Sequence, residues 1–289
     1  MSVNPVRDEM VNIGDIKLHC VQWGTQGPPI ILLHGLTANA FCFQAFADDL
    51  ADRYRLIAYD LRGRGDSDKP ATGYSVPIHT TDLAHLIETL GIEHPVVIGH
   101  SLGALIALYF AAHYQDKLSK LVLLDAGAAL PWNTPAEQPV WLTASINRLG
   151  QSVPSYEEYV ARLQQAPFFG PYWNSYIDTY IDHDVQRHPD GTVSAKAYRE
   201  AIIEDGLNFS QAEPEQQWSH VQVPTLLLRA GQGLFFDNDQ LLPEEGAHAL
   251  HHSIADCRYR NFPALNHYTL IFGTEQGPIQ EIREFLAAK

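Results

Sequence analysis

The sequence has few cysteines, few basic residues and no long hydrophobic run. Its three cysteines, Cys20, Cys42 and Cys257, are odd in number and widely spaced, which indicates reduced thiols rather than a disulfide framework or a zinc site. The first residues are polar and lack the pattern of a signal peptide, and no apolar run approaches the roughly 18 residues that span a bilayer. We therefore expect a soluble, cytoplasmic protein without membrane insertion.

The shortage of basic residues also limits the partners. With 19 Lys and Arg against 34 Asp and Glu, the formal net charge is −15, and no basic cluster offers a surface for a phosphate backbone. We therefore expect a small molecule, and not nucleic acid, as the partner. A chain of 289 residues that is 45% hydrophobic can bury the core of one large domain, with or without an insertion.

Short apolar runs alternate with helix-length segments along most of the chain. The pattern predicts an opening hairpin and then strands that are covered by helices on both faces. The predicted strands are Val6–Val11, Ile16–Trp23, Pro29–Leu33, Tyr54–Tyr59, Val96–Ile98, Leu121–Leu124, Thr225–Leu228 and Arg258–Phe262. The predicted fold class is α/β, with a mostly parallel, doubly wound sheet of about eight strands.

The alternation stops between residues 129 and 219, where strand-to-helix connections are usually much shorter. We interpret 1–128 and 220–289 as the core domain and 129–219 as a helical cap insertion. The insertion is rich in large aromatic residues, among them Trp132, Trp141, Tyr156, Tyr159, Phe168, Phe169, Tyr172, Trp173, Tyr176 and Tyr180. Each of these rings can be part of the insertion's own core, but together they predict an apolar, covered substrate pocket.

The motif with the clearest chemical meaning is the pentapeptide GHSLG at 99–103, between a predicted strand and a predicted helix. This is the G-x-S-x-G arrangement in its strand–turn–helix context. The sharp turn requires glycine at the flanking positions Gly99 and Gly103, and it lifts the hydroxyl of Ser101 above the sheet. The following helix directs its N-terminal N–H groups and its dipole at the same point. We therefore predict that Ser101 is a nucleophile in acyl transfer.

An acyl-transfer site also needs a base and an oxyanion hole. His267 follows the last predicted strand and is the best-placed base, because loops at the carboxyl ends of parallel strands converge near the nucleophile. The backbone N–H groups of Leu36 and Leu102 are the predicted oxyanion donors. Gly35 lets the first of these loops turn inward, and His34 is interpreted as the residue that braces it.

Three further histidines, His248, His251 and His252, lie near Glu244 and Glu245 and superficially resemble metal ligands. No second ligand cluster accompanies them, and a charged helix face explains them equally well. We therefore expect no metal and no cofactor.

These motifs together resemble the α/β-hydrolase family over almost the whole chain. The resemblance rests on His34-Gly35, the segment DLRGRGDS at 60–67, the serine elbow and the Asn266-His267 pair. It implies the α/β-hydrolase fold and is closest to capped carboxylesterases, although esterases, lactonases, carbon–carbon bond hydrolases and cofactor-free peroxidases share these motifs. Serine in the elbow disfavours the dehalogenases and epoxide hydrolases of the family, which use aspartate there.

The acid of the triad is the point at which the chain departs from the family pattern. The resemblance places an aspartate just after the strand at 225–228, but the chain reads GQGLFF at 231–236. Asp125, at the end of the strand at 121–124, is the first candidate, because some relatives carry their acid there. Asp239 keeps the family spacing to His267 and is the alternative, and Asp237 is third.

We therefore predict a serine hydrolase that cleaves carboxylic esters with Ser101, His267 and an aspartate. A neutral apolar acyl group of small to medium size is expected, because a carboxylate substrate in so acidic a chain would need a dedicated arginine. A lactone or a vinylogous diketone is an alternative substrate for the same residues. A slow-hydrolysing ligand receptor of the same fold is the alternative from another functional class.

Overall fold

The computed structural model describes residues 2–130 and 140–288 of the chain. Its strands are β1 (Arg7–Asn12), β2 (Lys17–Trp23), β3 (Pro29–Leu33), β4 (Arg55–Tyr59), β5 (Val96–His100), β6 (Lys120–Leu124), β7 (Ser152–Val153), β8 (Val185–Arg187), β9 (Val193–Ala195), β10 (Thr225–Ala230) and β11 (Cys257–Phe262). Its helices are α1 (Gln44–Leu50), α2 (Val76–Thr89), α3 (Leu102–His113), α4 (Val140–Asn147), α5 (Tyr156–Gln164), α6 (Ser175–Asp184), α7 (Arg199–Asn208), α8 (Pro214–Gln217), α9 (Glu244–Ser253) and α10 (Gly277–Ala287).

The main sheet has eight strands in the order β1-β2-β4-β3-β5-β6-β10-β11. Strand β2 is antiparallel to both of its neighbours, and all other neighbouring pairs are parallel. The predicted mostly parallel sheet of eight strands is therefore confirmed. Its strands lie within two residues of the predicted bounds. In β3, β5 and β6 this is because the apolar runs coincide with the buried part of the sheet, whereas β1 and β11 are mostly exposed.

The central strands are buried on both faces. All residues of Ile30–Leu33, Leu56–Tyr59 and Leu121–Leu124 are buried, as expected for strands between two layers of helices. Helix α3 is apolar around most of its circumference, and ten of its twelve residues are buried. A helix of this composition is stable only inside a protein. Its burial fixes the position of the turn that precedes it.

The segment 129–219 contains α4 to α8 and also a small sheet of strand order β7-β9-β8, which the sequence analysis did not predict. Strands of two or three residues have no recognisable periodicity. The sequence signal that could have indicated this hairpin is the turn tripeptide Pro189-Asp190-Gly191. In the structure, Gly191 has a φ of +86° in the turn that joins β8 to β9. The division into core and cap stays a prediction. Of the predicted aromatic residues, Trp132 and the side chain of Trp141 lie outside the described residues.

Candidate active site

Ser101 occupies the turn between β5 and α3 with φ 58° and ψ −122°, a conformation that costs energy for any residue except glycine. Glycine is required on either side of it. A Cβ on Gly99 would lie 2.1 Å from the carbonyl oxygen of Gly103, and a Cβ on Gly103 would lie 2.1 Å from that of Leu33. The turn is held from the neighbouring strand as well, because the Ser101 N–H donates to the carbonyl of Leu124 at 3.1 Å.

The loop after β3 approaches Ser101 closely. A Cβ on Gly35 would lie 3.1 Å from the Cβ of Ser101 and 3.6 Å from its Oγ, so this position has little room for a side chain. Within the described residues, the N–H groups of Leu36 and Leu102 donate to no acceptor. Both residues line the same pocket as Ser101. Two free N–H donors are therefore available at the wall of this pocket.

His267 and Asp125 lie in contact beyond the carboxyl ends of β11 and β6. Nδ1 of His267 lies 2.7 Å from Oδ2 of Asp125, and both side chains are buried. The other carboxylate oxygen of Asp125 accepts the N–H of Ala230 at 2.9 Å, and its own N–H donates to Leu228 at 2.8 Å. Asp125 is thus anchored to β10 while it faces His267.

The alternative acids lie elsewhere. The carboxylate of Asp239 accepts the N–H groups of Leu234 at 2.6 Å and Phe235 at 2.9 Å, and so closes the loop that follows β10. Asp237 is exposed in the same loop. The structure therefore brings Asp125, and neither of the other two, to the imidazole of His267. The catalytic roles of these residues stay a prediction.

His100, the variable residue before Ser101, packs against His267. The ring centroids are 4.3 Å apart, and Nε2 of His100 donates to the carbonyl oxygen of His267 at 2.9 Å. Nδ1 of His100 has no partner among the described residues. Sequence reasoning assigned no role to His100, since the middle of the motif accepts many residue types. Its contacts tie the loop of His267 to the turn of Ser101.

Burial sets the protonation of the site. It lowers the pKa of His267 below 6.5 and lowers the pKa of His100 well below the ordinary histidine value, so both imidazoles are neutral at pH 7. Burial also raises the pKa of Asp125, while the hydrogen bond from Ala230 lowers it. A neutral His267 with its Nδ1–H directed at Asp125 leaves Nε2 as the basic nitrogen.

Ser101 and His267 line one pocket of about 60 Å³. Its other walls are mainly apolar, and part of them comes from the segment 129–219. That segment contributes Leu130, Leu142, Ser145, Tyr180 and Phe209. The pocket therefore accepts an apolar group next to Ser101.

The segment 60–67 holds the loop that follows β3 through hydrogen bonds. The carboxylate of Asp60 accepts the N–H groups of Ala40 at 2.8 Å and Asp66 at 2.9 Å and contacts Nδ1 of His19 at 2.7 Å. Arg64 donates through Nε to the carbonyl oxygen of Leu36 at 2.9 Å. Through these contacts the segment holds the loop after β3, which carries Leu36.

The three histidines singled out as possible ligands lie on α9, where Nε2 of His248 is 3.7 Å from Glu244. Among the described residues, the group whose ligand atoms come within 4.8 Å of one another is instead His19, Asp60 and Asp66. Hydrogen bonding accounts for that group, because Asp60 already binds His19 and the N–H of Asp66. That the reaction needs no metal stays a prediction.

Comparisons with known proteins agree with this geometry. Residues 28–274 match the family model described as alpha/beta hydrolase fold. A 2-(acetamidomethylene)succinate hydrolase of Mesorhizobium japonicum is 42% identical over 115 residues, which are 40% of this chain and 41% of that protein. A soluble epoxide hydrolase of Corynebacterium is 38% identical over 113 residues, 39% of each chain. The matches thus span about two-fifths of these curated relatives.

Solved structures match over nearly the whole chain. The crystal structure of E-2-(acetamidomethylene)succinate hydrolase is 26% identical, with a TM-score of 0.81 over 98% of this chain and 99% of that one. An enol-lactonase from Burkholderia xenovorans is 18% identical, with a TM-score of 0.76 over 97% and 100%, and shows a common fold alone. No described helix is long and apolar enough to cross a membrane.

Proposed function

The chain belongs to the α/β-hydrolase family, and we propose that it hydrolyses carboxylic esters of small to medium apolar acyl groups through an acyl-enzyme on Ser101. One observation carries the proposal. Ser101 and His267 line one pocket, and Nδ1 of His267 lies 2.7 Å from the buried carboxylate of Asp125. This is the arrangement that a serine nucleophile needs, with a base beside it and an acid that orients the base.

The proposed reaction has two halves. Nε2 of His267 takes the proton of the Ser101 hydroxyl while Oγ attacks the ester carbonyl, and the imidazolium formed is stabilised by Asp125. Collapse of the tetrahedral intermediate breaks the bond to the alcohol oxygen, which receives the proton from His267. A water molecule then attacks the acyl-enzyme with His267 again as base, and the carboxylic acid and the Ser101 hydroxyl are released.

The oxyanion of each intermediate is held by the N–H groups of Leu36 and Leu102 in this proposal. Neither N–H has another acceptor among the described residues, so both can donate without first breaking a hydrogen bond. Leu102 is also the first residue of α3, where the helix dipole favours negative charge. Donors already fixed in place are the main source of rate enhancement in such sites.

We assign the segment 129–219 the role of a cap. Leu142, Tyr180 and Phe209 from this segment line the pocket of Ser101, and their apolar surface keeps water from the acyl group. A small, covered pocket favours short and medium acyl chains over long ones.

The proposal is tested with p-nitrophenyl esters of increasing acyl length. We expect fast multiple turnover on short and medium chains, loss of nearly all turnover in Ser101→Ala, and labelling of Ser101 by a fluorophosphonate in the wild-type protein. EDTA is expected to leave the rate unchanged. A rate that keeps rising into long, insoluble chains indicates a lipase instead, and labelling with negligible turnover indicates a receptor.

A second candidate keeps the same residues and changes the bond. The solved structure that matches at 26% identity is named for a substrate with an acetamido group, which supports an amide as the bond attacked. Lactones and vinylogous diketones are further alternatives for the same nucleophile. Comparing kcat/KM for an N-acyl enamine, a lactone and an ester of equal acyl length decides among them.

A further inference from the structure

A second cavity adjoins the pocket of Ser101. It has a volume of about 240 Å³, against about 60 Å³ for the pocket itself. The two share Thr37, Ser145, Tyr180 and Tyr268 as lining residues. A substrate with more than a few atoms beyond its reacting carbonyl therefore has room in the second cavity.

The charged residues that line this cavity are basic, although the chain as a whole is acidic. Arg148 and Arg162 line it, and no Asp or Glu is present among the described residues of its wall. The chain as a whole has a formal net charge of −15. Two guanidinium groups thus line a cavity that adjoins the pocket of Ser101, and no carboxylate of the described residues lines it with them, a distribution that favours an anionic group.

Arg148 is held along one edge and open along the other. Its Nη1 donates to Oδ2 of Asp184 at 3.0 Å and to the hydroxyl of Tyr159, which itself donates to Asp184 at 2.5 Å. Its Nε and Nη2 groups have no acceptor among the described residues. The Asp184 side chain is 3% exposed and that of Arg148 is 23% exposed, so Arg148 pairs with a buried carboxylate while part of its own side chain stays accessible.

The open edge has the geometry of a carboxylate receptor. Nε–H and one Nη2–H of a guanidinium point the same way and match the two oxygens of a carboxylate. The contacts with Tyr159 and Asp184 fix the plane of the group in advance, which reduces the entropy lost when a ligand binds. Arg162 contributes less to carboxylate binding, because its side chain is 55% exposed and already pairs with Glu158.

We propose that Arg148 binds a carboxylate of the substrate, several bonds away from the carbonyl carbon that Ser101 attacks. The inference rests on the proposed function, since it names the substrate class of that same site: an ester with an apolar reacting end and an anionic far end. A neutral substrate was expected from the sequence because no arginine could be assigned to the pocket. Arg148 supplies that arginine.

The first experiment compares esters that differ only in the far carboxylate. On the acyl side, p-nitrophenyl half-esters of adipate and suberate are compared with p-nitrophenyl hexanoate and octanoate. On the alcohol side, 4-acetoxybenzoate is compared with phenyl acetate. We expect kcat/KM at least tenfold higher for the anionic member of one of these sets, chiefly through a lower KM. Equal or lower values for the anionic member in both sets overturn the proposal.

The second experiment removes the guanidinium without leaving a buried charge. The double variant Arg148→Gln/Asp184→Asn is expected to lower the ratio of anionic to neutral kcat/KM at least tenfold. Arg148→Lys keeps the positive charge but loses the paired N–H donors of the guanidinium, so an intermediate ratio of anionic to neutral kcat/KM is expected. The matched control is Arg187→Gln/Asp182→Asn, which removes an exposed ion pair of 2.5 Å between β8 and α6. For this variant, the ratio of anionic to neutral kcat/KM is expected to stay at the wild-type value. A wild-type ratio in both Arg148 variants overturns the proposal.

Binding without turnover separates this proposal from the proposed function. Adipate is titrated calorimetrically into Ser101→Ala, with and without Arg148→Lys. If adipate binds in an Arg148-dependent manner while no ester is hydrolysed, the carboxylate site stands and ester hydrolysis is wrong. If neutral esters are hydrolysed through Ser101 while adipate does not bind, ester hydrolysis stands and the carboxylate site is wrong.

Discussion

Nδ1 of His34 lies 2.7 Å from the carbonyl oxygen of Gly35, within the loop that supplies one proposed oxyanion donor. Nε2 of the same ring accepts the N–H of Leu61 at 2.9 Å, which fixes the proton on Nδ1. Burial lowers the pKa of His34 to about 4, so the ring keeps this neutral form at pH 7. The carbonyl of Gly35 and the N–H of Leu36 belong to one trans peptide and point in opposite directions. By holding the carbonyl, His34 fixes the orientation of this peptide and directs the N–H of Leu36, a residue of the pocket wall, away from the imidazole.

His34→Ala is therefore expected to lower kcat about 10- to 100-fold with little change in KM, a smaller loss than removing an oxyanion donor itself. His34→Asn is expected to recover part of the loss, because its amide nitrogen can replace Nδ1 as a donor to Gly35. Steady-state kinetics on one p-nitrophenyl ester measures both variants. A fall in stability with unchanged kcat contradicts the positioning role.

The strained backbone of Ser101 predicts a stability difference between two inactive variants. Both Ser101→Ala and Ser101→Gly remove the nucleophile, but only glycine adopts φ 58° and ψ −122° without strain. We expect Ser101→Gly to have a free energy of unfolding about 1–3 kcal/mol higher than Ser101→Ala, as measured by denaturant titration. Equal stabilities in the two variants show that the turn is not strained.

Most of the fold was predictable, because the apolar runs of β3, β5 and β6 are continuous and the glycines around Ser101 are required sterically. For the acid, the sequence ranked Asp125 ahead of Asp239 but could not decide between them. Asp125 and Asp239 both follow strands in sequence, and only the pairing of β6 with β10 brings one of them to the loop of His267. The position of Arg148 at the second cavity could not be predicted either. Its partner Asp184 lies 36 residues away, and neither a motif nor a periodicity connects the two residues.

The lowered pKa of His267 determines the acidic limb of the pH profile. The imidazole acts as a base only when neutral, and burial holds its pKa below 6.5. Activity should therefore persist as pH falls through 6.5 and decline only at lower pH. We expect the midpoint of the acidic limb of kcat/KM below pH 6.5, measured on a neutral ester. A midpoint at pH 7 or above indicates that protonation of another group controls the rate.

The acid is identified by comparing two isosteric substitutions. Asp125→Asn cannot accept the Nδ1–H of His267 as a carboxylate does, and it favours the wrong tautomer. We expect a loss on the order of 10⁴ in kcat, the magnitude of the corresponding change in a serine protease. Asp239→Asn keeps an acceptor for only one of the two N–H groups, Leu234 and Phe235, that the carboxylate binds, so some loss of stability is expected. It is the matched control for catalysis, with kcat expected within a few-fold of wild type. If Asp239→Asn loses most of its kcat while Asp125→Asn stays active, Asp239 and not Asp125 is the acid that orients His267.

Asp205 of α7 joins the segment 129–219 to the core, and its ionisation predicts a loss of stability in acid. Its carboxylate lies 2.5 Å from Arg64 Nη2 and 3.1 Å from His79 Nε2, with all three side chains buried. Burial alone raises the pKa of Asp205, but His79 and Arg64 lower it to about 2, from 3.8. A lowered pKa stabilises the folded state above pH 4, and this contribution disappears as pH falls toward 2.

The difference corresponds to about 2 kcal/mol at neutral pH. Asp205→Asn is therefore expected to lower the free energy of unfolding at pH 7 by at least about 2 kcal/mol, because it also leaves Arg64 buried without its counter-charge. The loss of stability between pH 5 and 3 should be correspondingly shallower than in the wild type. Asp182→Asn is the control, since its pair with Arg187 is exposed and is expected to change stability by less than about 0.5 kcal/mol. Urea titrations at pH 7, 5, 4 and 3 measure both effects. If Asp205→Asn lost as much stability between pH 5 and 3 as the wild type, the acid sensitivity would have to come from other carboxylates.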